Sequence, residues 1–295
     1  MENKLWPKNH TFAIFLSHDI DTIHQMPFQG LYYFLTQKKF KYLRSLFEKR
    51  DPYWRFEEMM ALEEKYQVRS TFFFLQEKTS LNLFKPITWR LSNDRYEFSN
   101  PKVIELFKKL ENGGWEVGLH GSYYSYNNEK LLAEEKDSLE KSLGHAVAGI
   151  RQHHLNLNEP ETWKIQAKIG LQYDSTYGLK KEIGWREGKY LPYRPLNNNF
   201  LEIPLVIMDI NVFKGDLSGQ NLEKLWQKCL AIFDEAEKNG AMLSVLWHNR
   251  FFNDQQFPGF TALYEKIIKE GKRRNAWFAT GGQIYKQLNS QKKDS

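Results

Sequence analysis

Segments with the pattern of β-strands alternate with segments that have the pattern of amphipathic helices along most of the chain. We predict strands in the short apolar segments at residues 11–17, 70–75, 115–119, 146–151, 171–174, 202–213, 241–248 and 277–280. Between them apolar residues recur at helical spacing, which predicts helices at residues 54–66, 101–112, 128–143, 160–169, 221–239, 260–270 and 282–288. Such alternation is typical of a parallel α/β fold. No repeat or low-complexity linker divides the chain, so we predict one domain over residues 1–295.

The composition excludes several classes of protein. Hydrophobic residues make up 41% of the chain, enough for a large core, but no run approaches the roughly 18 apolar residues of a membrane span. The first residues lack the apolar stretch of a signal peptide, so we expect a cytoplasmic protein without a membrane partner. The net charge is +6, but the basic residues are scattered and form no nucleic-acid-binding motif. We interpret the single cysteine, Cys229, as a small core residue. The sequence carries no signal for the oligomeric state.

Polar residues follow several of the predicted strands directly. Asp19 and Asp21 come at the end of the first strand, and side chains two apart on a strand project to the same side. Three further apolar runs end at His120, Arg151 and His248. Two Asp residues after a strand are often a turn with a helix cap. The recurrence at several strand ends favours an enzyme, because α/β barrels place their active sites at the carboxyl ends of the strands.

These residue types can together hydrolyse an amide. Aspartate and histidine offer oxygen and nitrogen ligands to Zn²⁺ or a similar divalent ion. A second carboxylate can act as general base for the attacking water, and an arginine can keep that carboxylate ionised and oriented. A histidine on the other side can protonate the leaving amine. The set predicts a metal-assisted amide hydrolase.

The order of five short motifs resembles the NodB-homology polysaccharide deacetylases, carbohydrate esterase family 4. The motifs are Ser17-His-Asp-Ile-Asp21, Gly118-Leu-His-Gly-Ser-Tyr-Tyr-Ser125, Gly149-Ile-Arg-Gln-His153, Tyr173-Asp-Ser-Thr176 and Leu246-Trp-His-Asn249. The resemblance covers about residues 11–289. It is closest to the subgroup with a histidine-aspartate-x-aspartate first motif and a histidine-glycine-serine-tyrosine second motif.

The resemblance implies a distorted (β/α)7 barrel with a groove at the carboxyl ends of its strands. It also implies hydrolysis of N-acetyl, sometimes O-acetyl, groups on saccharides. By position, Asp19 matches the general base and His248 the general acid. Arg151 matches the arginine that tethers the base, and Asp174 matches the aspartate that orients catalytic side chains.

The implied metal site departs from the family pattern at one position. Asp21 matches the metal-binding aspartate and His120 the first histidine ligand, but Tyr124 stands where the family has another histidine. Catalytic zinc normally has three protein ligands. We favour a divalent ion, zinc in the first instance, with His153 near it as the third ligand. Weak binding completed by water stays open, as does catalysis without metal, as in the allantoinase-like relatives that act on cyclic amides.

Two stretches lack a regular pattern. Residues from about 25 to 50 are aromatic and basic, and we predict a helical insertion there after the first strand. Residues 178–199 form a long irregular stretch, which in a compact barrel favours a loop that contacts substrate. We expect four residues to contact the saccharide: Trp185, Arg186, Tyr123 and His154.

Two polar residues sit in apolar surroundings without an assigned role. Asp209 ends an apolar run, and a buried carboxylate needs partners. An arginine such as Arg186, or the substrate, would serve. His18 alternates away from Asp19 and Asp21, so we expect it to pack behind the site.

The sequence as a whole predicts a metal-dependent hydrolase that removes acetyl groups from a saccharide. The first alternative is a catalytically inactive carbohydrate-binding protein on the same scaffold, which Tyr124 at the expected ligand position favours. The second is a metal-independent hydrolase of cyclic amides. Nucleic-acid binding through the excess positive charge is the least favoured.

Overall fold

The computed structural model describes residues 5–7, 10–24, 51–80, 82–91, 96–212 and 219–291. The predicted insertion at residues 25–50 lies outside them. Within the described residues all strands belong to one parallel sheet. The strands are β1 (Ala13–Ile20), β2 (Thr71–Leu75), β3 (Glu116–Gly121), β4 (Gly149–Gln152), β5 (Tyr173–Asp174), β6 (Leu201–Glu202), β7 (Ile207–Met208), β8 (Met242–Leu246) and β9 (Trp277–Phe278).

Helices connect most of the strands. They are α1 (Phe56–Lys65), α2 (Pro86–Leu91), α3 (Pro101–Asn112), α4 (Glu129–Leu143), α5 (Glu161–Lys168), α6 (Asp209–Val212), α7 (Gly219–Asn239), α8 (Phe260–Arg273) and α9 (Gly281–Ser290). Every predicted helix is present with small shifts of its ends, whereas α2 and α6 were not predicted. The side chain of Asn100 caps α3 by accepting from the backbone N–H of Lys102, and Pro101 follows it in the first turn. None of the helices in these described ranges is long and apolar enough to cross a membrane.

One bent segment closes the sheet into a barrel. The strands run in the order β6-β5-β4-β3-β2-β1-β8-β7, with β9 added beside the start of β1. Because β6 and β7 both belong to residues 201–208, this segment pairs with β5 at its beginning and with β8 at its end. If the bent segment is counted as one strand, the barrel has seven strand positions: the five strands β1, β2, β3, β4 and β5, then β8, and the bent segment itself. The predicted distorted (β/α)7 barrel is confirmed.

The continuous strand predicted at residues 202–213 is wrong. The structure has two short strands there, separated by residues 203–206 and followed at once by α6. Pro204 lies in the break, and proline cannot donate the backbone hydrogen bond that a central strand needs. The break lets the chain leave β5 and reach β8.

Alternate residues of β1 face the barrel interior and the layer beneath the helices. Phe15 packs inside with Phe73 of β2 and Tyr173 of β5. Leu16 belongs instead to the larger cluster under the helices. Since β1 extends to Ile20, further than predicted, Asp19 still lies on the strand and has the interior parity of Phe15.

A buried polar network fixes the opposite face of β1. His18 places Nδ1 2.6 Å from the Trp247 carbonyl and Nε2 2.8 Å from Glu63 Oε1. Glu63, from α1, also accepts hydrogen bonds from Ser70, Trp115 and Tyr264. His18 therefore packs behind the site, and its network joins the residues next to Asp19 and His248 in the chain.

We expect Glu63→Ala to lower the free energy of unfolding by about 3 kcal/mol or more, because it leaves several buried donors without an acceptor. The matched control is Glu64→Ala. The side chain of Glu64 is 60% exposed and pairs with Arg69, so its loss should cost no more than about 1 kcal/mol. Urea denaturation of both variants measures the difference. Equal losses would show that the network contributes no more than a surface pair.

Candidate active site

Asp19 is held inside the barrel by a buried arginine. Arg151 Nη1 donates to Asp19 Oδ1 at 2.9 Å and to the Ser17 hydroxyl at 2.8 Å. Its Nε and Nη2 atoms donate to the carbonyl and the hydroxyl of Ser175. The guanidinium also lies 4.7 Å from the centre of the Phe73 ring. Both groups are buried, so this ion pair is shielded from water.

Three potential metal ligands meet beside Asp19. Ligand atoms of Asp21, His120 and His153 all lie within 4.8 Å of one another. Asp21 Oδ1 is 3.3 Å from His120 Nε2 and 3.7 Å from His153 Nε2. Among the described residues, neither Asp21 Oδ1 nor His120 Nε2 has a hydrogen-bond partner, although both atoms are buried. Two imidazoles and one carboxylate are a donor set that suits zinc.

The backbone of a neighbouring strand orients His120. Its Nδ1 lies 2.9 Å from the Arg151 carbonyl, so Nδ1–H donates there and Nε2 faces the carboxylates. Burial opposes a charged ring, but Asp19 and Asp21 raise the pKa of His120 above its ordinary value. The same cluster acts on Asp21. Burial opposes its ionised form, but His248, His153 and His120 hold its pKa well below the ordinary value.

His153 has the opposite electrostatic character. Burial holds its pKa well below the ordinary value, although Asp21 nearby acts against this. A neutral imidazole has the free lone pair that a metal ligand requires. The turn that presents His153 contains His154 and Leu155, both with positive φ (59° and 51°), and it ends β4 immediately after Gln152.

His248 forms a pair with Asp209. His248 Nδ1 lies 2.8 Å from Asp209 Oδ1 and 2.9 Å from Oδ2, and the backbone N–H of His248 donates to the same carboxylate. This leaves Nε2 facing the site, 3.6 Å from Asp21 Oδ2. Burial opposes protonation, but Asp209 and then Asp21 raise the pKa of His248. The sequence flagged Asp209 but not this partner, because the contact joins residues 39 positions apart.

These groups line one cavity of about 270 Å³ at the carboxyl ends of the strands. Its polar lining consists of Asp19, Asp21, Glu77, His120, His153, His154, Lys180, His248 and Arg250. Its apolar lining consists of Leu75, Leu91, Leu155, Met208, Ile210 and Leu246. The structure therefore brings together the predicted base, acid and ligands in a cavity with an aliphatic wall.

Asp174, which was predicted to orient a catalytic side chain, faces away from the cavity. Tyr173 and Ser175 point into the barrel, so Asp174 between them points outward, where it accepts a hydrogen bond from Thr176. Burial raises its pKa to about 6. The aspartate that contacts the ring of His248 is Asp209.

The four predicted saccharide contacts have different surroundings. Trp185, which was predicted to contact the saccharide, is a core residue whose indole N–H donates to the Met242 carbonyl at 3.0 Å. Arg186 pairs with Glu159 at 3.0 Å outside the cavity. His154 lines the cavity, and Tyr123 lies behind it with ring centres 5.3 Å apart.

Sequence analysis did not identify some residues of the cavity, and it gave certain other residues no catalytic or ligand role. Tyr124 is 39% exposed and belongs to no ligand group among the described residues, as expected for a phenol. Glu77 accepts from the backbone N–H of Tyr123 at 3.1 Å and so holds the loop that follows His120. Lys180 and Arg250 follow no strand directly, and no sequence pattern marked them. Cys229 is a buried core residue, and burial raises its pKa to about 12.

Solved structures share this fold. No family model matches the chain, and no curated protein matches it. The chain is similar to a protein from Pseudomonas aeruginosa PAO1 assigned as a polysaccharide deacetylase (TM-score 0.62, 17% identity, covering 97% of this chain and 93% of that one). A protein with the same assignment from Mycobacterium smegmatis gives TM-score 0.61 at 18% identity, with the same coverage. Puue allantoinase gives TM-score 0.60 at 16% identity, covering 97% and 92% of the two chains. At these identities the likeness establishes the fold.

We expect Asp209→Asn to lower the pKa of His248, because it removes the carboxylate that most favours the imidazolium. The wild-type ring then stays protonated to a higher pH than the ring of the variant. The titration of the imidazole C–H signal by NMR, in chelator-treated protein and with a His248→Gln variant to assign the signal, measures both values. Asp234→Asn on the surface is the control and should leave the titration unchanged. An unchanged curve in Asp209→Asn would contradict the paired arrangement.

Proposed function

We propose that this protein is a metal-dependent hydrolase that removes N-acetyl groups from a saccharide. The observation that carries the proposal is the meeting of three elements in one cavity. These are the ligand group formed by Asp21, His120 and His153, the carboxylate of Asp19 and the imidazole of His248. The neighbours assigned as polysaccharide deacetylases support the class of reaction.

The metal site is proposed on its donor atoms. Asp21, His120 and His153 would hold the ion, and the unpartnered buried atoms of Asp21 and His120 fit that use. A divalent ion bound there would supply Lewis-acid polarisation of the scissile carbonyl. His153 takes the place of the histidine that the deacetylase pattern has at Tyr124.

The remaining groups divide the proton transfers between them. Asp19 accepts a proton from the attacking water, and the hydrogen bond from Arg151 orients this carboxylate in the cavity. His248 donates a proton from Nε2 to the leaving amine. Asp209 holds the other ring nitrogen, so that Nε2 is the atom that faces the substrate. The raised pKa of His248 suits an acid that must begin the cycle protonated.

We expect acetate release from N-acetylated sugars in the presence of Zn²⁺, and a loss of roughly 100-fold or more in kcat in both Asp19→Asn and His248→Gln. The control is His145→Gln, which changes an exposed histidine paired with Glu111 outside the cavity. The assay measures acetate enzymatically. If either site variant retains near-normal turnover, the acid–base assignment is wrong.

We expect His153→Ala to weaken Zn²⁺ binding by at least about 100-fold, because it removes one of three protein ligands. Tyr124→Phe is the matched control, since it removes the polar atom at the position where the family pattern has a ligand. Its affinity should equal that of the wild type, because Tyr124 projects towards solvent. Titration calorimetry with Zn²⁺ measures both. A loss in Tyr124→Phe and none in His153→Ala would reverse the ligand assignment.

The same experiments distinguish the alternatives. The similarity of the fold to an allantoinase favours a cyclic amide hydrolase as the second candidate. That candidate predicts ring opening of allantoin in chelator-treated protein, and no acetate release. An inactive carbohydrate-binding protein predicts binding of acetylated sugars and turnover of neither substrate, with or without Zn²⁺.

A further inference from the structure

Two cations on the cavity wall have no part in the proposed hydrolysis. Lys180 comes from the irregular segment that follows β5, and Arg250 from the turn Asn249–Phe252 that follows β8. Both line the cavity that contains Asp21 and His248. A positively charged wall on two separate segments is unnecessary for a neutral acetylated sugar.

Lys180 has no carboxylate partner among the described residues. None of the carboxylates in the described ranges forms an ion pair with it, and the charge that acts on it is the cation of Arg186. Burial and then Arg186 lower the pKa of Lys180. The ammonium group is still exposed enough to meet a ligand from solvent. An incoming anion would relieve the repulsion between the two cations.

Arg250 is held more firmly. Its guanidinium lies 3.6 Å from Asp21 Oδ2 and 5.2 Å from the centre of the Phe251 ring, and its side chain is 24% exposed. A planar guanidinium in a fixed position binds phosphate and carboxylate groups through two parallel hydrogen bonds. Arg250 can therefore orient an anion that Lys180 attracts.

The carboxylates of the lining are already engaged, so they do not neutralise Lys180. Asp19 is paired with Arg151. Glu77 accepts from the backbone N–H groups of Tyr123 and Thr79. Asp21 faces histidines and Arg250. Within the described part of the lining, Lys180 is therefore a cation without a carboxylate partner, whereas Arg250 is paired with Asp21.

We propose that the saccharide carries an anionic group, a phosphate or a carboxylate, which binds to Lys180 and Arg250 at the wall of this cavity. The identity of the substrate as an acetylated sugar rests on the proposed function. Binding of the anionic group does not itself require hydrolysis.

The test compares the binding of charged and neutral acetylated sugars to the full-length protein. The probes are N-acetylglucosamine 1-phosphate, N-acetylmuramic acid and N-acetylglucosamine, titrated by calorimetry at low and at high NaCl. The variants are Lys180→Met, Lys180→Arg and the matched control Lys181→Met. Lys181 is the adjacent residue, is exposed and does not line the cavity.

We expect the wild type to bind at least one charged sugar about tenfold more tightly than N-acetylglucosamine, with the advantage falling at high salt. Lys180→Met should weaken binding of that sugar roughly threefold to tenfold and leave the neutral sugar unchanged. Lys180→Arg should restore most of the affinity. The anion is identified by which sugar, the phosphorylated or the carboxylated one, binds more weakly to Lys180→Met than to the wild type.

Equal affinities for charged and neutral sugars in the wild type would overturn the anion site, as would equal losses in Lys180→Met and Lys181→Met. Measurement of acetate release distinguishes failure of the anion site from failure of the proposed function. Binding that depends on Lys180 without acetate release from any probe would overturn the hydrolase and keep the anion site. Acetate release at equal kcat/KM from charged and neutral sugars would keep the hydrolase and overturn the anion site.

Discussion

Arg151 places a positive charge in the interior of the barrel, with none of its side chain exposed. An isolated charge there would carry a large desolvation cost, so the surroundings must supply acceptors. Asp19, Ser17 and Ser175 supply them from β1 and from the residue after β5. The position of the Asp19 carboxylate is therefore fixed by the same contacts that make the buried arginine tolerable. These contacts also link β1, β4 and the residue after β5 across the barrel interior.

Three of the four histidines that line the cavity face Asp21, and their neighbours give them different protonation behaviour. His248 faces Asp209 and has a raised pKa, whereas His153 is half-buried, has no hydrogen-bond partner for Nδ1 among the described residues, and has a lowered pKa. His120 donates through Nδ1 to a backbone carbonyl, which frees Nε2 for the carboxylates. Rings that lie close together can therefore differ in protonation, because each has different surroundings.

The sequence predicts the elements and the strand ends that carry chemistry, since both depend on local patterns. Periodicity and caps identify the helices, and the polar residues after apolar runs identify Asp19, Asp21 and His248. Such local patterns do not predict contacts between segments that are distant in the chain. The pairing of Asp209 with His248 depends on how α6 turns after β7, and the cavity positions of Lys180 and Arg250 depend on irregular segments. The position of Trp185 in the core was likewise not predicted, because an aromatic loop residue and an aromatic core residue have the same local sequence.

The position of Asp174 shows why the match of a motif does not predict the side of the strand that a residue faces. In a strand, alternate residues face opposite sides, so the side of any residue is decided by its neighbours. Ser175 reaches Arg151 inside the barrel, and Asp174 must then face the layer that contains Thr176 and Glu202. The alternation of a strand does not apply to Asp209, because Asp209 begins a helix rather than continuing a strand. It can direct its carboxylate back to the ring and the backbone of His248, and the break at Pro204 is what allows the chain to arrive there.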